Sequence, residues 1–157
     1  MTPTLHPIWA EAQWPFPIDQ WGQGKAFECK AADCGTSVNI YLRAKIGFCN
    51  CLTGVDDDEE LERLGEFDLI VANNVVARES GKPIAVGWMK GRSRAYSISG
   101  WYRPRQSAIA VAFNDRCDAI VATVVLGHDR PAEIEPHVIE FLNSNTVLLW
   151  AEVSLGL

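Results

Sequence analysis

Four of the chain's five cysteines fall in the run AFECKAADCGTSVNIYLRAKIGFCNC, residues 26–51, as Cys29, Cys34, Cys49 and Cys51; the fifth is Cys117. Thiolates are soft metal ligands and nucleophiles, and paired thiols close disulfides, so these side chains offer three chemistries. Four thiolates can hold zinc in a tetrahedron, and Gly35 directly after Cys34 suits a metal-binding turn. The spacing, C-x4-C followed by C-x-C, departs from the paired CxxC of most such sites. Structural bridging is the second chemistry, cross-paired as Cys29 with Cys51 and Cys34 with Cys49, or with one bridge to Cys117. Spacing does not choose the connectivity. The third is thiol exchange at Cys49 and Cys51, because a bridge across one residue closes a small strained ring. No helix N-terminus flanks that pair to lower a thiol pKa. An odd number of cysteines leaves one thiol free or paired between chains.

A second group is the basic, aromatic run WMKGRSRAYSISGWYRPR, which interleaves Trp88, Tyr96, Trp101 and Tyr102 with Lys90, Arg92, Arg94, Arg103 and Arg105. On a hairpin, alternate residues share a face, so several guanidinium groups can converge on a small anion or an acidic protein partner. Protection of an edge strand by charge explains the same residues without a partner. A net charge of −6 opposes nucleic acid and anionic membrane surfaces. The three histidines, His6, His128 and His137, are dispersed. His128 and Asp129 at a strand end form a hydrolase dyad only if a pocket joins them to a nucleophile such as Ser97, Ser99 or a cysteine. No G-x-S-x-G elbow or HExxH accompanies them, and Asp129 equally suits a helix cap.

These groups need elements to position them. Residues 1–24 combine Pro3, Pro7, Pro15 and Pro17 with Trp9, Trp14, Phe16 and Trp21, which reads as an irregular arm whose aromatics wrap the domain or bind a partner. Thr-Pro-Thr after Met1 reads as a mature N-terminus behind an added initiator. Residues 25–157 read as one domain. GQGK lacks the spacing of a phosphate loop and is a turn into a strand. Lys25–Lys30 and Thr36–Phe48 read as strands joined at AADCG, the second alternating Val38, Ile40 and Leu42 with Asn39, Tyr41 and Arg43. Eight acidic residues lie between Asp56 and Asp68. Asp57 with Glu60 is a capping pair, opening a short helix with Leu61, Leu64 and Phe67 inward and a solvated acidic face. DDDEE lacks the ligand and glycine spacing of a calcium loop.

Residues 72–83 read as a mobile polar loop. Four strands then form an antiparallel meander, with turns expected at KGRS and at Asn114-Asp115-Arg116. A second helix carries Ile134, Val138, Phe141 and Leu142 on one stripe, its start restricted by Pro131 and Pro136. TVLLWAEVSLGL ends the chain as a strand or an apolar tail. No apolar run is long enough to span a bilayer, and no basic-then-apolar secretory signal opens the chain. The expected fold class is α+β, an antiparallel sheet with two helices packed on it and cysteines pinning one end.

With its Cys-rich strand, GWMKGRSRAY hairpin and FNDRCDAIVATVV pair, the chain resembles a family of exported bacterial proteins with no assigned activity. In element order it is more distantly similar to PsbP and Mog1 sandwiches, which implies a fold and no functional residue. The first reading is therefore a non-enzymatic accessory protein, periplasmic or secreted, that binds a protein partner or small anion and no nucleic acid. The alternatives are a zinc or thiol-redox domain, which would also suit the cytoplasm, and a hydrolase using His128.

Overall fold

The computed structural model describes residues 5–101, 103–127 and 129–157. Apolar alternation in β2 (Lys25–Cys29) and β3 (Val38–Lys45) makes them antiparallel neighbours, with Phe27 opposite Ile40. The arm contributes a strand of its own, β1 (Ala10–Ala12), which adds to β2 with Glu11 opposite Phe27. Gly24 lets the arm approach this closely: a Cβ there would stand 2.0 Å from the Leu42 carbonyl oxygen.

The meander is present, with its two middle strands longer than the alternation indicated. β5 (Lys82–Val86), β6 (Met89–Gly100), β7 (Arg103–Asp115) and β8 (Asp118–Leu126) pair consecutively and antiparallel. KGRS is not a turn; it lies inside β6. The chain reverses at Gly87-Trp88, between Val86 and its partner Met89, where Gly87 takes the positive φ (59°) that a two-residue hairpin turn favours. The expected loop 72–83 contains another strand, β4 (Asn74–Ala77), laid along the far half of β6. The eight strands form one antiparallel sheet in the order β1-β2-β3-β8-β7-β6-β4, with β5 also on β6.

Helices cover both faces. AADCG folds into a single helical turn, α1 (Ala31–Cys34), closed by Gly35 in the left-handed conformation. α2 (Asp58–Leu64) begins where the capping pair placed it, with Glu60 N donating to the Asp57 carboxylate at 2.8 Å. α3 (Pro131–Leu142) accommodates Pro131 in its first turn and buries Ile134, Val138 and Leu142. The closing segment is neither strand nor tail; it is the helix α4 (Asn145–Ser154). One face of the sheet, with Ile40, Leu42, Val111 and Val124, packs on α3 and α4. The opposite face, rich in small residues such as Ala108, Ala110 and Ala112, packs on Leu61 and Leu64 of α2. Among the described residues, no helix is long and apolar enough to cross a membrane.

Candidate functional site

The cysteines do not gather. Cys29 bonds to Cys34 and Cys51 bonds to Cys117, while Cys49 keeps its thiol. Turn α1 returns Cys34 to the end of β2, so this bridge closes within five residues of sequence. The second bridge ties the segment after β3 to the β7–β8 turn, 66 residues away. Cys29 lies opposite Val38 at one end of β3, whereas the β7–β8 turn lies beyond Lys45 at the other end. The eight residues of β3 separate the two bridges by roughly 23 Å. This corrects the four-thiolate zinc site, the Cys49–Cys51 redox pair and both cross-pairings; the bridge to Cys117 is the connectivity that occurs. Among the described residues, no three His, Cys, Asp or Glu side chains are placed to hold a metal ion. The Cys49 thiol is buried, and burial, reinforced by the Glu60 carboxylate, pushes it up to about 11. Its backbone N–H donates to the Cys117 carbonyl at 2.9 Å, which holds the strand end against the bridge.

Alternation along β6 puts Lys90, Arg92, Arg94 and Tyr96 on one face, and that face already has its acidic partner in α2. Arg92 Nε donates to Asp58 Oδ1 at 2.6 Å, and its other nitrogens reach the Asp56 and Gly81 carbonyls at 3.2 and 3.1 Å. Arg94 donates to Glu62 at 2.9 Å and to the Glu79 carbonyl at 2.5 Å, with its guanidinium over the Tyr96 ring. The Arg92 guanidinium holds the Asp58 carboxyl below the usual carboxylate range, against the opposing effect of partial burial. The expected solvated acidic face is thus partly a clamp, which engages Arg92 and Arg94 within the chain. Tyr96 belongs to the core at 2% exposure, and Trp88 donates its indole N–H to Asp115 at 2.8 Å. Lys90 and Arg105 are exposed, and Trp101, at the β6–β7 tip, is 88% exposed. The expected contributions of Tyr102, His128 and the Arg103 side chain lie outside the described residues.

Asp129 is not a cap. Arg130 occupies that position, and Asp129 instead accepts from Arg78 and from Ser107 Oγ, the latter at 3.1 Å. The serine beside it is therefore Ser107, one strand away from the expected Ser97 and Ser99.

A group that spacing did not reveal lies on the α2 face of β3. Arg43 and Lys45 are 4% and 6% exposed, beside Glu66 at 5%. Arg43 Nε donates to Glu66 Oε1 at 2.9 Å, and its NH1 donates to Asp19 Oδ1 at 2.6 Å. Lys45 donates to the Leu64 carbonyl at 2.9 Å and stands 3.4 Å from Glu66 Oε1. Burial depresses the Lys45 ammonium, with Glu66 opposing; burial also acts against Arg43, but its hydrogen bonds to Glu66 and Asp19 win and raise it. The arm roofs these charges: Arg43 lies 5.8 Å from the Trp14 ring and Lys45 lies 5.6 Å from Trp21. A cavity of about 620 Å³ opens between the arm, β3 and residues 65–71. On its rim Val71 holds a φ of 55°, a left-handed conformation that is costly for a β-branched residue. The available signal was the alternation of Arg43 and Lys45 with apolar residues in a strand too central to be solvated on either face.

Fold and site together define a disulfide-bonded α+β domain with a buried ionic cluster under an aromatic arm. In comparisons with known proteins, the sequence matches no family model and no curated relative.

Proposed function

We propose that this is a non-enzymatic binding protein of an oxidising compartment outside the cytoplasm. It docks an extended segment of a partner protein along the outer edge of β4, beside the β6–β7 tip. The observation that carries the reading is the exposed apolar group at that edge. All four residues of β4 are exposed, and among the described residues β4 is the last strand of the sheet, paired only to β6. Val76 is 62% exposed and Trp101 88%. Sheet edges are normally guarded by shortness, charge, proline or a bulge; the strand Asn74-Val75-Val76-Ala77 is short but carries no charge and no proline. An uncharged edge with an exposed indole beside it suits strand addition, in which main-chain hydrogen bonds supply affinity and alternate side chains supply choice. Exposed Arg105 near the tip favours a segment carrying an acidic residue. Two disulfides support the compartment, because such bridges persist where thiols are oxidised.

Selection from a displayed peptide library against the whole protein tests this. Enriched peptides should alternate apolar residues with at least one acid, protect β4 amides from hydrogen exchange, and lose binding with Trp101→Ala or Val76→Lys. Peptides that bind these variants as well as the parent, or a surface spent on pairing two copies of the chain, would reject the reading.

A further inference from the structure

The Cys51–Cys117 bridge has a third sulfur beside it, which docking at the β4 edge does not use. Cys49 lies two residues before Cys51; its N–H donates to the Cys117 carbonyl at 2.9 Å, and its own carbonyl oxygen lies 3.9 Å from Cys51 Sγ. We infer that Cys117 exchanges its bridge partner from Cys51 to Cys49, and that the exchange makes Cys51 a modification site for low-molecular-weight disulfides. The product bridge is Cys49–Cys117, not the short Cys49–Cys51 ring.

A backbone hydrogen bond of this kind sets the two α-carbons roughly 5–6 Å apart, inside the span of about 4.4–6.8 Å that a disulfide needs. The new bond therefore closes without rethreading the chain. The Cys49 thiol rests on the Asn50 carbonyl at 3.7 Å, a weak bond that rotation about one side-chain torsion gives up. Moving the bridge two residues along lengthens a 66-residue separation by two, and closure entropy follows the logarithm of loop length, so neither connectivity is favoured by it. What changes is where the free thiol sits, since Cys49 is 5% exposed and Cys51 is exposed. Exchange thus moves the thiol from the core to the surface. The step is an isomerisation with no net oxidation. Cys49 gives up its proton and its thiolate attacks Cys117 Sγ; the Cys49–Cys117 bond forms as the Cys51–Cys117 bond breaks, and Cys51 leaves as a thiolate. That thiolate attacks one sulfur of a disulfide R–S–S–R, giving Cys51–S–S–R and releasing RS⁻, which takes up the proton. Burial pushes the Cys49 thiol up to about 11, with Glu60 of α2 and Asp118 at the start of β8 adding to it and Arg63 of α2 and the Asn50 backbone opposing. At neutral pH the attacking thiolate is scarce, so the exchange is slow and quickens with alkali.

Adduct mapping on the whole native protein decides it. Iodoacetamide traps a free thiol, glutathione disulfide is the small disulfide, and acid-quenched digests read both the adduct position and the bridges by mass. Each reagent should modify Cys51 and leave a Cys49–Cys117 bridge, at a rate that rises about tenfold per pH unit between about pH 8 and pH 10. In Cys49→Ser neither reagent should modify Cys51. Cys51→Ser, purified without reductant, should carry a Cys49–Cys117 bridge and no free thiol, which keeps the test decisive if Cys49→Ser fails to fold. The inference is overturned by an adduct on Cys49 in the native protein, or by no adduct on Cys51 from either reagent after about a day at about pH 10, well beyond the minutes to hours of uncatalysed exchange. It is equally overturned by a rate flat in pH, by Cys51 modification that persists in Cys49→Ser, or by two free thiols in Cys51→Ser.

Discussion

Replacing Arg92 separates a structural clamp from a partner surface. Its guanidinium is 17% exposed and faces an Asp58 carboxylate that is 27% exposed. Arg92→Ala removes the 2.6 Å bond to Asp58 and the bonds to the Asp56 and Gly81 carbonyls. A charged hydrogen bond contributes about 1.5–3 kcal/mol, reduced here by partial exposure, so the expected loss is about 2 kcal/mol. In a chain of this length that is a fall in Tm of about 4–8 °C. Urea unfolding of Arg92→Ala, Asp58→Ala and the double variant should give a coupling of about 1 kcal/mol. The pH dependence has a definite sign. Asp58 titrates below its usual 3.8 in the folded state, chiefly because of Arg92, so the folded state binds the proton less well than the unfolded chain. The stabilisation is present above 3.8 and is lost as pH falls through the depressed value, so the parent and Arg92→Ala should converge in acid. A variant as stable as the parent, or additive single effects, would refute the clamp.

Alkylation should find Cys49 silent in the native protein and reveal a single thiol per chain after unfolding without reductant, read by intact mass. Under limited reduction the Cys51–Cys117 bridge, with Cys51 exposed, should open before the buried Cys29–Cys34 bridge, as differential labelling will show. Replacing Cys51 and Cys117 by serine opens a 66-residue separation and should cost about 4 kcal/mol, against about 2 kcal/mol for the five-residue bridge, measured by denaturant unfolding. Arg43→Met leaves Glu66 buried with only Lys45 opposite and should cost about 3–5 kcal/mol in the same assay.

Local patterns carried much of the architecture. Asp57 with Glu60 placed the start of α2, and Pro131 with the Ile134, Val138 and Leu142 stripe placed α3, because caps and helical stripes act within a few residues. The same holds for β2, β3 and the meander, whose alternation reports which side chains must be buried. KGRS was misread because a glycine among cations looks like a turn, while the real reversal, Gly87-Trp88, hides an indole in it. β4 was read as loop because an exposed edge strand has no buried face to impose alternation. α4 was missed because a segment apolar on nearly every side has no helical period to detect.

Pairing is a different kind of quantity from pattern. Composition and spacing establish that thiols, acids and cations are present and which of them share a strand face. Which acid meets Arg92, which sulfur meets Cys117 and whether Arg43 is dry depend on contacts across 24 to 66 residues of chain. Such contacts form only when the sheet closes, because Coulomb and covalent partners are chosen by distance in space, and the chain between them leaves that distance open until every strand has found its neighbour.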